Sequence, residues 1–172
     1  TNYVVQYLND EFPGVIKWDR NLINVTSIDI ETKFGDGFPE PALADQEVTA
    51  ITMKNNIDDT YYTFGCGEYD VDNALLQTHE VIYVKCADER ELLHKFVYHW
   101  SKTSPDIVTG WNCEFFDIPY LINRIKRVFD NGREKFLSPW RMIDERETHT
   151  GYGQSTLKYE IKGVAILDYM AI

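Results

Sequence analysis

The sequence predicts an α/β fold, a mixed sheet with flanking helices and an inserted β-hairpin, on three observations. Three β-patterned runs come early, strand and helix patterns then alternate, and a Gly-containing polar stretch near residue 150 separates two extended runs. At 172 residues, 44% hydrophobic and 14% aromatic, the chain can bury one substantial core, so one globular domain is expected.

Residues 1–22 read as an approach segment broken by Pro13 and Gly14, with Trp18 as a hydrophobic anchor. Strands follow at about 23–31, 47–54 and 60–65, the last two joined by the polar turn 55–59. An apolar run, 81–84, leads into a helix whose start is marked by Asp88 and Glu91, a capping-box pair, and whose buried stripe is Leu92, Leu93, Phe96, Val97 and Trp100. A strand at 107–111 precedes a second helix that buries Ile118, Leu121, Ile122, Ile125, Val128 and Phe129 and stops at Asp130, Asn131 and Gly132. Arg124, Lys126 and Arg127 are expected on its wet face. Residues 138–162 read as the hairpin, with its loop at 150–155, and a last strand, 164–167, ends at Asp168.

Chemistry gathers at Asp29, Glu31 and Asp117. In the first strand Ile23, Val25, Ser27, Asp29 and Glu31 share one face, so two acids one strand period apart, roughly 6 to 7 Å, can converge on one hard cation. The aliphatic flanks Ile23 and Val25 predict that this face is buried, where unpaired acids are costly without a function. Asp117 stands where a strand gives way to a helix, a common place for chemistry in open α/β sheets, although an Asp there can also serve as a helix cap. The net charge of −11 argues against a dominant basic nucleic-acid patch, yet leaves room for a cation-dependent site that must concentrate acids. Cys66, Cys86 and Cys113 are odd in number and have no CxxC spacing, which supports neither a disulfide framework nor structural zinc; a reducing cytoplasm is the natural compartment. No apolar run approaches a membrane span.

The segments SIDIET and GWNCEFFDIPYLINR, with GFPEP, LSP and GVAILDY at matching intervals, make the chain resemble the 3′ to 5′ exonuclease (proofreading) domain of family B DNA polymerases, of the T-even phage type. Asp-Ile-Glu alone is a weak signal; Asn112, Phe116 and Asp117 between Trp111 and Pro119 are far more specific. The resemblance implies a ribonuclease H-like (DnaQ-like exonuclease) fold, with 1–22 arriving from a preceding N-terminal domain and 23–172 forming an exonuclease domain incomplete at its C-terminus. It implies hydrolysis of a primer-terminal phosphodiester with two divalent cations, Mg²⁺ or Mn²⁺. Asp29 would bridge both ions, Glu31 would hold the water-activating one, and Asp117 would stand on or beside the second. The family's third motif, a Tyr and an Asp on a helix, is expected beyond Ile172, so the fragment by itself is expected to be inactive.

The resemblance also implies DNA contacts. Phe38 would stack on bases of a single-stranded or frayed primer 3′ end, Asn112 would offer an amide to sugar or phosphate, and Phe116 would lie beside the terminus. Phe38 is equally open to a role as a core plug beside Pro39, and Asn112 to a turn role. The hairpin resembles one that helps part template from primer. Implied partners are DNA, the remaining polymerase domains and, through the parent, a sliding clamp, in the cytoplasm of a bacterial host. The alternatives are a ribonuclease H-like binding or scaffold module without catalysis, and a standalone exonuclease.

Overall fold

The computed structural model describes residues 3–15, 17, 19–33, 35, 37–70, 72, 79–149 and 155–171. Strands β1 (Val25–Thr32), β2 (Val48–Asn55), β3 (Tyr61–Gly65), β4 (Val81–Lys85), β5 (Ile107–Gly110) and β8 (Ala165–Asp168) form one sheet in the order β4-β3-β2-β1-β5-β8. The sheet is mixed: β1 runs antiparallel to β2 and parallel to β5, and β5 runs parallel to β8. Strands β6 (Ile143–His149) and β7 (Ser155–Ile161) pair antiparallel as a separate hairpin. This is the ribonuclease H-like α/β fold that the sequence predicts. The tip of the hairpin, 150–154, and the Trp18 anchor lie outside the described residues.

Two helices build the core. Helix α2 (Glu89–Thr103) buries Leu92, Leu93, Phe96, Val97 and Trp100, the stripe its periodicity predicts. Asp88 is its N-cap and accepts from Glu91 N at 2.8 Å; the Glu91 carboxylate accepts in return from Ala87 N at 2.7 Å, one residue before the cap. Helix α3 (Asp117–Phe129) buries Ile118, Leu121, Ile122, Ile125 and Phe129 and ends at Asp130 in the left-handed conformation. Both helices share one buried cluster with Ile28 and Ile30 of β1, Ile51 and Met53 of β2 and Phe64 of β3. Helix α1 (Tyr3–Glu11), in the approach segment, buries none of its residues. Its apolar residues Tyr3, Val4, Tyr7 and Leu8 recur at helical spacing, yet all four are exposed.

Two sequence expectations are corrected. The face of β1 that carries Asp29 and Glu31 is the more open one: both acids are exposed and Val25 and Ser27 half-buried, while Asn24, Thr26, Ile28 and Ile30 are buried. Strand periodicity separates two faces but does not say which one meets the helices, and here Ile28 and Ile30, close to the acids, decide it. Arg124 is buried as well. It forms a bidentate pair with Glu89, Nε to Oε1 at 2.6 Å and Nη2 to Oε2 at 2.7 Å, instead of lining the wet face. Lys126 is half-buried against Glu145 and Tyr159, and Arg127 alone of the three is exposed.

Candidate active site

The site lies where β1 and β5 end side by side. Gly110 closes β5 so tightly against β1 that a Cβ there would stand 2.7 Å from the Ile28 carbonyl oxygen, so the motif loop that follows starts close to Asp29. Asn112 turns the chain with φ of 59°, and its carbonyl accepts from Phe115 N at 3.2 Å and Phe116 N at 2.9 Å. Its turn role is therefore real; the half-buried side-chain amide makes no hydrogen bond among the described residues. Asp168, at the end of β8, accepts from Asn112 N, Glu114 N and Met170 N, each at 2.9 Å. Three amides fix that carboxylate as the pin of the loop, a structural duty.

The loop delivers Asp117 as the first residue of α3. Phe116 occupies the N-cap position and makes no side-chain cap; Asp117 turns away from capping, and its Oδ1 accepts from Ile30 N at 3.1 Å. Ile30 lies beyond the end of the β1–β5 pairing, where its amide has no strand partner on that side. Asp117 is 4% exposed, and burial, followed by the negative charge of Asp29, pushes its carboxyl from the ordinary 3.8 up to about 7, against the backbone amides that favour the ionised form. The first and second acidic segments thus meet electrostatically. Glu31 follows Asp29 on the open face. Among the described residues no three His, Cys, Asp or Glu side chains stand close enough to enclose a metal. The Asp117 carboxyl, whose ionisation Asp29 opposes, is nevertheless half of a donor set that a hard cation relieves, and the exposed Asp29 leaves space for water and substrate oxygens.

Phe38 is 84% exposed, so the core-plug reading fails. Its ring centroid is 5.5 Å from that of Phe116, which is 5.7 Å from that of Tyr120, a row of aromatics beside the start of α3. Sequence reasoning missed Gly110, whose signal is a glycine at the end of a buried strand, and the polar side chains Tyr120, Asn123, Arg124 and Arg127. These four recur at spacings of three and four along α3, from within the GWNCEFFDIPYLINR segment to three residues past it, a helix-face period hidden among its apolar residues.

No helix among the described residues is long and apolar enough to cross a membrane. Residues 5–172 match the family model for the exonuclease domain of DNA polymerase family B. The chain is 34% identical over 189 residues to the DNA-directed DNA polymerase of Escherichia phage RB69, and 32% identical over 191 residues to that of Enterobacteria phage T4. Each match covers 98% of this chain and 21% of the relative, so the chain spans about a fifth of these polymerases. A DNA polymerase catalytic subunit of Equine herpesvirus 2 is 26% identical over 84% of the chain and 15% of its own length. By the family match and by these relatives, the chain belongs to the exonuclease-domain family of family B DNA polymerases.

Proposed function

We propose that the chain is the 3′ to 5′ exonuclease domain of a replicative DNA polymerase and removes the terminal nucleotide of a primer strand by hydrolysis with two divalent cations, Mg²⁺ or Mn²⁺. The observation that carries this reading is the buried Asp117 carboxyl, held up to about 7 by burial and by Asp29 of a distant segment. Such a pair costs stability unless a positive charge joins it. Exonuclease domains of this family are metal-dependent in general. Asp29, Asp117 and the exposed Glu31 are the residues that would hold the ions, with waters and substrate phosphate completing the coordination, as suits Mg²⁺. When bound, such ions lower the pKa of an attacking water and offset charge on the leaving 3′ oxygen.

The chain's own residues supply position. Phe38 offers an exposed ring to a base, a contact indifferent to sequence, as an editing site requires. Phe116, next in the aromatic row, limits how deeply that base enters, and the Asn112 amide is available to sugar or phosphate. The partners proposed with this role are a frayed primer 3′ end, the other domains of the parent polymerase, from one of which residues 1–22 would arrive, and a sliding clamp.

The test uses the full-length protein containing this chain, 3′-labelled single-stranded DNA and Mg²⁺. Release of the terminal nucleotide is expected, and its loss in both Asp29→Ala and Asp117→Asn. Release that persists in Asp29→Ala would sink the assignment, and DNA binding without release by the unaltered protein would favour the scaffold alternative.

A further inference from the structure

The loop that bears Phe38 has no regular secondary structure, yet α3 holds it at many points. Asn123 Nδ2 donates to Pro41 O at 2.9 Å and Arg127 Nη1 to Leu43 O at 3.2 Å. Arg124 Nη1 donates to Ala44 O at 3.0 Å and to Asp45 O at 3.1 Å. The Tyr120 hydroxyl closes the series, accepting from Gln46 N at 3.1 Å and donating to Gln46 O at 2.8 Å. Residues 120, 123, 124 and 127 form one stripe of the helix, so a single rigid surface fixes the course of the loop from Pro41 to Gln46. The same helix begins with Asp117. The segment that follows Phe38 and the Asp117 carboxylate are therefore positioned by one element, and Phe116, just before that helix, touches the Phe38 ring.

Asn123 has a second partner. Its Oδ1 accepts from the Tyr159 hydroxyl of β7 at 2.5 Å. Tyr159 is buried, and its ring lies 4.8 Å from Lys126 Nζ, which also meets Glu145 of β6 at 3.2 Å. The residue before it, Lys158, pairs with Glu114 at 3.0 Å and lies over the Phe115 ring, so the hairpin also grips the motif loop. One amide thus bonds the hairpin on one side and the Phe38 loop on the other. An amide suits this node because it accepts and donates at once, which neither a carboxylate nor a hydrocarbon of its size can do.

We propose that Asn123 is a positioning residue that couples the hairpin to the Phe38 loop, so that the hairpin's seating on α3 sets how well Phe38 meets a DNA base. This rests on the reading of Phe38 as a base-stacking residue.

The experiment is a double-mutant cycle in the full-length protein containing this chain. The readout is the Kd for a fluorescent single-stranded oligodeoxynucleotide, with Ca²⁺ in place of Mg²⁺ and thermal unfolding followed in parallel. Tyr159→Phe keeps the ring beside Lys126 Nζ but removes the hydroxyl, and with it both the bond to Asn123 and the 3.4 Å bond from Lys126 Nζ, which is why Asn123→Asp is measured beside it. Tyr159→Phe is expected to weaken binding about fivefold, the scale of one net hydrogen bond, and to have no further effect in the Phe38→Ala background. Asn123→Asp keeps an acceptor for Tyr159 and removes the donor to Pro41; it is expected to weaken binding similarly, and likewise only while Phe38 is present.

A merely structural role lowers the unfolding temperature and affects binding equally in both backgrounds. That additive result overturns the coupling, as does unaltered binding in both Tyr159→Phe and Asn123→Asp. Should Phe38→Ala itself leave binding unchanged, the stacking reading falls and the coupling with it. Should Phe38→Ala weaken binding while the cycle is additive, the stacking reading stands and the coupling alone falls.

Discussion

At the scale of single residues, Asp117 occupies a place where ionisation is expensive, and that expense is measurable. Its carboxyl titrates near 7 in the folded chain and at an ordinary 3.8 when exposed, so between those values the folded state holds a proton that the unfolded state has released. Its contribution to stability is thus fully present below about pH 4 and is lost as pH rises to about 7; further alkalinity removes no more. Asp117→Asn keeps an oxygen for the Ile30 amide and has nothing to ionise. Without divalent cations it is expected to match the unaltered protein near pH 4 and to exceed it by a few kcal/mol at pH 8, since the ionised carboxylate loses about 1.4 kcal/mol for every pH unit between the two titration midpoints. Thermal unfolding at the two pH values decides; a variant less stable at pH 8 would refute the assigned cause. Phe38 presents the opposite case, an aromatic with little to lose from truncation. Phe38→Ala is expected to change stability by less than about 0.5 kcal/mol, the range of ordinary surface substitutions. A loss of about 3 to 5 kcal/mol, as for a buried ring, would contradict its exposure.

Among the elements, legibility follows from what each pattern encodes. Helix α2 is readable in its start and its stripe because both are local facts, an Asp, a Glu and five apolar residues at helical spacing. Strand β1 is readable as a strand, but which face is covered depends on where α2 and α3 pack, a tertiary fact. The carboxylate positions of Asp29 and Asp117 are legible from their motifs, whereas the hydrogen bond from Ile30 to Asp117 requires the end of β5 to be known. Arg124 misleads because a charge on a helix is usually solvated; its partner Glu89, at the start of α2, is distant in sequence. That pair joins α2, α3 and β2, since Glu89 Oε1 also accepts from Val48 N at 2.7 Å. Arg124→Met, which leaves Glu89 without its partner, is expected to cost about 3 to 5 kcal/mol in denaturant unfolding. Replacing both, with Glu89→Gln retaining an acceptor for Val48, is expected to cost less than the single change. Equal or larger losses in the double variant would mean that Arg124 acts through its bonds to the Ala44 and Asp45 carbonyls instead.

For the whole molecule the governing quantity is its charge. In a chain at −11, added NaCl screens the self-repulsion of like charges and so favours the compact state. A site at Asp29 and Asp117 adds a separate effect with a different signature. A cation that binds only the folded state stabilises it by RT ln(1 + [L]/Kd), about 1.4 kcal/mol at ten times Kd. For a protein of this size that is about 3 to 6 °C in unfolding temperature. The two effects separate when MgCl₂ or MnCl₂ is titrated against NaCl at constant ionic strength. Stabilisation by the divalent ion is expected to persist, to saturate, and to grow with pH from 5 to 8, because the ion competes with the proton on Asp117 and that competition fades as the carboxyl ionises. It is expected to vanish in Asp29→Ala and to survive in Asp144→Asn, a change to an exposed acid of the hairpin. Equal losses in both variants, or no divalent effect beyond that of NaCl, would assign the response to general screening and remove the thermodynamic support for a cation at the two carboxylates.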